Sequence, residues 1–393
     1  MMKIIKKTMK YMRTGYAGSK WRRYLALTVS VGFAISMLAG CSSGSGDLGS
    51  SADGSENGTE LSAENSGISG KQEVNVICWT EYLPQDVLDS FESSTGIKVN
   101  MTTYTSPDDM LAKVQTSAAG TYDLIIAPEN YVPIFSNQDM LEELDREKLP
   151  NFDNIDIKYL GRTNDPTNTY SIPYMFASAV IAVNSDVISE DVGSYADLLK
   201  PEYEDKIVVI EDSRAMYAMA AMATGHGAAG VNDVSDEVLN DVEGYWTELF
   251  PNVHAFDGDS PKTLLINGEC SIGLLYGAEA LLAQKENPAI KCFYPEEGVY
   301  LGADSMMITS SAKNKDNAYV LVDYILDGEV SAGISEIFPY INPNAAALEY
   351  LGTDFTDNEL TNPPADAIGR ACTLEDIGDD VSKIVELWTK LKG

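Results

Sequence analysis

The sequence predicts an α/β protein made of two lobes, with a ligand cleft between them. Strand and helix patterns alternate along residues 73–127, and this order implies a parallel sheet with right-handed crossovers. A second alternating set begins near residue 180. The chain has 393 residues, and even its part after residue 72 is large for a single domain. The sheets are therefore expected to be rich in parallel strands and flanked by helices.

The first set of elements is predicted from apolar periodicity and from turn residues. Pro84 opens a helix that ends at Gly96, and a second helix around Met110 closes at Gly120. Strands rich in β-branched and apolar residues are expected at residues 73–79, 97–101 and 122–127. In such sheets ligands bind beyond the carboxyl ends of the strands.

The second set is predicted in the same way. Strands are expected at residues 180–184, 206–210, 271–276, 290–294 and 306–309. Amphipathic helices are expected at residues 316–326 and 379–392.

The N-terminal segment is typical of an export signal. Residues 1–40 carry eight basic residues and no acid, and residues 24–37 are apolar but shorter than the roughly 20 residues of a membrane span. The ending Leu38-Ala39-Gly40-Cys41 resembles the bacterial lipobox, which implies lipidation of Cys41. A plain cleavable signal, or a signal anchor with a chance cysteine, is the alternative.

The predicted organisation follows from these segments. It comprises a lipoprotein signal peptide (1–40), a flexible tether rich in Ser and Gly (41–71), the first part of lobe 1 (72–175), the first part of lobe 2 (176–302), a return to lobe 1 (303–342) and a C-terminal segment packing mainly on lobe 2 (343–393).

Charge and cysteine content narrow the possible partners. The formal net charge is −33, and loss of the basic export segment would make it more negative. Such a surface repels nucleic acid and is compatible with a cationic ligand, although acidic surfaces also simply confer solubility. Beyond Cys41, four cysteines could form two disulfides or be buried free thiols.

Motifs for enzymatic chemistry are weak. His226 and His254 have no metal-ligand spacing. The Gly225–Gly230 match to a dinucleotide-binding pattern follows a helical run instead of a strand, so it is interpreted as a helix stop. No cofactor is expected, and an extracellular hydrolase using a carboxylate pair is kept only as an alternative from another class.

Several stretches together resemble one family. They are WTEYLPQDVLDSFESSTGIKV, TYDLIIAPENYV, YSIPYMFASAVIAVN, SYADLLKPEYEDKIVVIEDSR, PNVHAFD, YPEEGVYLGADSM and PYINPNAA. Their order and spacing are similar to the spermidine/putrescine-binding proteins of polyamine ABC importers. The resemblance implies a periplasmic-binding-protein-like fold (type II) and a monomer anchored by lipid at the extracellular face of the cell membrane, which delivers a polyamine to an ABC permease.

The chemistry of a polyamine agrees with this resemblance. Each ammonium that leaves water needs an anion or oxygen acceptors, and aromatic faces suit both methylenes and cations. Position by position, the resemblance implies ligand-binding roles for Trp79, Thr80, Glu81, Tyr82, Asp212, Tyr276, Asp304 and Tyr340.

The sequence also departs from the family pattern. Relatives have a second acid where this chain has Ala215, a Trp where it has Gly302, and Ser and Tyr where it has Pro128 and Asn130. Glu129, with Asn130 in the loop after the third strand, is therefore hypothesised to supply the missing charge; a solvated loop glutamate is the alternative. Spermidine, putrescine or another amine-bearing solute stay open as ligands.

Overall fold

The computed structural model describes residues 72–392. The predicted export segment, the lipobox with Cys41 and the tether therefore lie outside the described residues. The strands are β1 (Glu73–Trp79), β2 (Lys98–Tyr104), β3 (Leu124–Pro128), β4 (Ile172–Asn184), β5 (Ile207–Ile210), β6 (Val253–Asp257), β7 (Ile272–Tyr276), β8 (Ile290–Phe293), β9 (Val299–Ile308) and β10 (Ala371–Cys372).

Helices connect and cover these strands. They are α1 (Gln85–Thr95), α2 (Pro107–Thr116), α3 (Tyr131–Ser136), α4 (Ser213–Ala223), α5 (Gly227–Gly230), α6 (Asp236–Leu249), α7 (Lys262–Ile266), α8 (Gly277–Glu286), α9 (Lys315–Ile325), α10 (Gly328–Ile337), α11 (Thr353–Thr356), α12 (Ala365–Gly369) and α13 (Val381–Lys392).

Two halves of sheet share the long strands β4 and β9. In the first lobe the strand order is β2-β1-β3-β9, with β1, β2 and β3 parallel and β9 antiparallel to β3. Residues 172–178 of β4 pair with β9, whereas residues 179–184 pair with β7 and β8. The second lobe continues as β7-β5-β6, all parallel. Because β4 pairs with strands of both halves, it joins the two lobes.

Each lobe has its own apolar core. In the first lobe Ile77, Ile125 and Phe135 are fully buried together. In the second lobe Trp246 and Tyr217 are buried with Trp388 of the C-terminal helix α13. The predicted α/β fold is therefore present, while the lobe boundaries assigned from the sequence stay predictions.

The observed strands differ from the predicted ones where polar residues or Pro interrupt the pattern. β4 begins eight residues earlier than predicted, because the sheet accommodates Pro173 by a shift of register between Pro173 and Met175. β9 begins at Val299 because it continues through Gly302 and Asp304. β6 was not predicted, since its side chains are mostly half-exposed.

The four cysteines within the described residues are free thiols. Cys78, Cys270 and Cys372 are buried, and Cys292 is partly buried. Of the two alternatives left open by the sequence, the structure has the free thiols.

Candidate ligand-binding cleft

A cleft opens where the carboxyl ends of parallel strands from both lobes face each other. It holds about 780 Å³ of space, part of it open to solvent. Its lining comprises Trp79, Thr80, Glu81, Tyr82, Pro128, Met175, Ala177, Ile210, Glu211, Asp212, Asp257, Gly258, Asp259, Pro261, Tyr276, Glu279, Tyr300, Gly302, Ala303, Asp304 and Tyr340. Eight of the ten predicted ligand-binding residues are thus brought together.

The first-lobe wall consists of the residues that follow β1. The Trp79 ring packs on Tyr104 with centroids 4.5 Å apart. Tyr82 is buried and lies edge-on to Tyr340 at 5.2 Å. The Tyr174 hydroxyl donates a 2.7 Å hydrogen bond to the Tyr82 carbonyl, which fixes the loop. These contacts hold the rings in place before any ligand arrives.

Asp304 lies on the crossing strand β9 at the base of this wall. The Tyr82 hydroxyl donates to Asp304 Oδ2 at 2.6 Å. Burial raises the pKa of Asp304 to about 7, opposed by the hydrogen bonds from Tyr82 and Trp79 and reinforced by the charge of Asp212. The carboxyl group is therefore poised for a partner that brings positive charge.

Asp212 has two roles at the start of α4. Its Oδ1 accepts hydrogen bonds from the amides of Arg214 and Ala215, both at 3.0 Å, so it is the N-cap of the helix. Its Oδ2 accepts a 3.3 Å hydrogen bond from the Tyr276 hydroxyl. Burial raises the pKa of Asp212, and the Ala215 amide opposes this rise. The capping role and the position in the cleft coexist.

Tyr300 is a wall residue that sequence reasoning missed. A Cβ atom at Gly302 would lie 3.0 Å from the Tyr300 hydroxyl oxygen, so the Tyr300 side chain occupies the space over Gly302. Its ring is 6.4 Å from that of Tyr276. The place that family resemblance assigns to a Trp is thus covered by a ring from two residues earlier, on the same face of β9.

Glu129 and Asn130 lie outside the cleft lining. The Glu129 carboxylate accepts two hydrogen bonds from the Arg162 guanidinium, each 2.7 Å long. Pro128, the last residue of β3, lines the cleft, whereas Glu129, in the turn that follows, does not. The hypothesis that Glu129 supplies the missing charge does not fit this geometry, because Arg162 already pairs with its carboxylate.

The cleft has further acids that were not predicted. Its lining includes Glu211, Asp257, Asp259 and Glu279, and none of the lining residues is Lys, Arg or His. Two lysines that are not lining residues form ion pairs with lining acids. Lys392 pairs with Glu211 at 2.5 Å, and Lys262 pairs with Glu81 and Glu279. Glu279 follows the carboxyl end of β7 by three residues, so the strand-end rule applied to that strand would have found it.

The lobes touch beside the cleft. Gly258 follows β6, and a Cβ atom there would lie only 2.0 Å from the carbonyl oxygen of Thr105, which follows β2. The Ser213 hydroxyl also lies 3.5 Å from Asp108. The structure is therefore a closed arrangement at this edge.

Neither a metal cluster nor a membrane span is found between residues 72 and 392. No three of their His, Cys, Asp and Glu side chains are grouped to hold a metal ion. No helix in that range is both long and apolar enough to cross a bilayer.

Residues 86–364 match the family model of the bacterial extracellular solute-binding proteins. This chain is a member of that family. The spermidine/putrescine-binding periplasmic proteins of Salmonella typhimurium and Escherichia coli K12 are 33% and 34% identical over 315 residues, which cover 80% of this chain and 90% of each relative. A solved spermidine/putrescine ABC transporter substrate-binding protein from Streptococcus pneumoniae is 25% identical, with a TM-score of 0.69 over 82% of this chain and 98% of that one.

Membership of the solute-binding family confirms the predicted fold class and the expectation that the protein is not an enzyme. The hydrolase alternative is thereby set aside. The family to which the chain belongs is an extracellular one.

Proposed function

We propose that this solute-binding protein captures a polyamine, putrescine or spermidine, in the cleft between its lobes and delivers it to an ABC permease. The observation that carries the proposal is the lining itself, which combines aromatic rings with carboxylates and, among the described residues, includes no Lys, Arg or His. A buried ammonium needs such partners, because an unpaired buried charge costs many kcal/mol.

The proposed counter-ions are two lining acids that make no salt bridge within residues 72–392 and that each accept a hydrogen bond from a tyrosine hydroxyl. Asp304 and Asp212 face the cleft from the crossing strand and from the second lobe. Trp79, Tyr82 and Tyr276 supply flat apolar faces for the methylenes and cation–π contacts worth about 0.5–2 kcal/mol each. The names of the relatives, which specify spermidine and putrescine, support the same ligand class.

Thermal-shift and calorimetric screening tests the proposal. Putrescine and spermidine should raise the midpoint of unfolding and bind one to one, whereas neutral sugars and acidic amino acids should do neither. Cadaverine and agmatine belong in the panel, because Ala215 and Gly302 depart from the family pattern and favour a second candidate, another amine-bearing solute. Binding of a non-cationic solute alone would overturn the proposal.

We further propose that Cys41 carries a lipid that holds the protein, as a monomer, at the extracellular face of the membrane. The lipobox-like Leu38-Ala39-Gly40-Cys41 and the polar tether that follows support this.

A further inference from the structure

Lys262 brings an ammonium group of the protein itself to one end of the cleft. Its Nζ lies 2.6 Å from Glu81 Oε2, 3.0 Å from Glu279 Oε2 and 3.2 Å from Ser260 Oγ. An ammonium has three donors, and each has an acceptor here. The group is held as the ammonium of a bound amine would be held.

Burial makes this ion pair more than a surface contact. The Lys262 side chain is 14% exposed and that of Glu279 is 10% exposed. Burial alone would lower the pKa of Lys262, but Glu279 and Glu81 outweigh it and raise that pKa. Lys262 is therefore a permanent cation at neutral pH, and it compensates a carboxylate that would otherwise be buried alone.

The ion pair joins the two lobes. Glu81 lies in the first-lobe loop after β1 and has a positive φ of 52°. Lys262 begins α7 and Glu279 lies in the first turn of α8, both in the second lobe. Two acids that line the cleft from opposite sides thus share one cation that the chain provides.

We propose that Lys262 fills one of three anionic stations in the cleft and thereby makes the protein select a diamine over a triamine. The three stations are Asp304, Asp212 and the Glu81–Glu279 pair. The other lining acids are engaged elsewhere or exposed: Glu211 pairs with Lys392, Asp257 accepts two amide hydrogen bonds within its own loop, and Asp259 is exposed. Two stay available for ligand ammonium groups, whereas a triamine would bring a third ammonium that finds Lys262 in place. This inference rests on the proposed function and specifies its substrate.

Calorimetry with putrescine and spermidine on wild type and Lys262→Gln tests the inference. Wild type should prefer putrescine. In Lys262→Gln the ratio of the spermidine Kd to the putrescine Kd should fall by about tenfold or more, since a freed station offers a charge-assisted hydrogen bond to the third ammonium. Lys262→Arg, which keeps the charge, should retain the wild-type ratio.

Two further variants separate specificity from structure. Lys315→Gln breaks a more exposed pair of 2.6 Å with Glu142, whose residues do not line the cleft, and should leave both affinities unchanged. Lys262→Gln with Glu279→Gln removes the cation together with the buried anion. Because it leaves no buried unpaired carboxylate, this double variant should fold. The gain in spermidine binding should shrink in this double variant.

The outcomes distinguish this inference from the proposed function. If wild type binds no polyamine, the proposed function fails. If wild type binds polyamines but Lys262→Gln leaves the ratio unchanged, or weakens both ligands equally, Lys262 only ties the lobes together and the inference is overturned.

Discussion

Around Asp304, hydrogen bonding and burial act in opposite directions on one carboxyl group. The Tyr82 hydroxyl favours the carboxylate, but the surrounding protein disfavours charge more strongly, and the pKa rises to about 7. A bound ammonium would replace the lost hydration. The same residue can therefore be neutral in the empty protein and charged in the complex.

Polyamine binding should depend on pH through Asp304. Below pH 7 the folded, ligand-free protein holds a proton that an ammonium must displace, so the apparent affinity should fall by up to about tenfold per pH unit from pH 7 to 5 and be flat above pH 7.5. Calorimetry in buffers of different ionisation enthalpy would detect the released proton. Asp304→Asn should bind more weakly and lose this dependence; proton release unchanged in Asp304→Asn would contradict the assignment.

The stability of the ligand-free protein should follow the opposite trend. The pKa of Asp304 is higher in the folded protein than the value of 3.8 for an unfolded chain. Protonation of Asp304 therefore stabilises the folded state fully below pH 3.8, and this stabilisation is lost as the pH rises towards 7. Urea unfolding at pH 6 and 8 should therefore show that Asp304→Asn gains stability relative to wild type at the higher pH. Equal differences at both pH values would argue against a raised pKa.

Trp79→Ala should weaken polyamine binding by about 1–3 kcal/mol, through lost wall area and lost cation–π contact. Calorimetry measures the loss directly. Tyr350→Ala, which removes a ring that is 53% exposed and lies outside the cleft lining, is the matched control and should bind normally. An unchanged affinity in Trp79→Ala would mean that the ligand binds elsewhere.

For individual residues, the sequence predicted which side chains lie at the ends of strands better than it predicted which side chains they contact. The family resemblance implied roles for Asp212 and Tyr276, and Trp79 lies at the carboxyl end of a predicted strand. Glu129 also lies near such an end, but its pairing with Arg162, 33 residues further on, is not visible in local sequence. Only the assembled fold could bring these two side chains together.

At the scale of elements, parallel strands concentrate the site. β1, β5 and β7 each end at the cleft, and the helices that follow β5 and β7 begin there. Elements with continuous apolar runs, such as β1 and β7, were predicted to within one residue. β6 has no such run, because it lies at the edge of its sheet, and the acids at and just after its end, Asp257 and Asp259, were missed for that reason.

Variants of Asp212 should separate its capping role from its role in the cleft. Asp212→Ser keeps an N-cap oxygen and should fold with stability close to that of wild type, while polyamine affinity falls by about 1.5–3 kcal/mol. Asp212→Ala should be about 1 kcal/mol less stable than Asp212→Ser. Urea unfolding and calorimetry together make the comparison; Asp212→Ser binding as wild type would exclude Asp212 as a counter-ion.

At the scale of the whole molecule, the predicted targeting segment and the cleft belong to separate parts of the chain. The cleft is built within residues 79–340, and the predicted lipid attachment at Cys41 precedes the described residues. The sequence predicted both parts from different signals: alternating strands and helices for one, and basic, apolar and small residues in succession for the other. Loss of one part should leave the other intact.

Cys41→Ser should release the protein from the membrane fraction or mislocalise it, with polyamine affinity unchanged. Cell fractionation with mass spectrometry of the N-terminus tests this, and Cys292→Ser, which changes a partly buried thiol of the second lobe, is the control that should stay membrane-bound. A Cys41→Ser protein of mature size that stays in the membrane without lipid mass would contradict the lipobox interpretation.

The close approach of Gly258 to Thr105 has a consequence for transport. Any side chain at position 258 would collide with a backbone carbonyl in the closed form, yet it would touch none of the proposed counter-ions. Gly258→Val should therefore give a folded receptor with a complete set of binding groups that cannot shut around its cargo. Such a receptor would load poorly, and cells that carry it should import polyamine slowly even when the receptor is abundant and correctly placed.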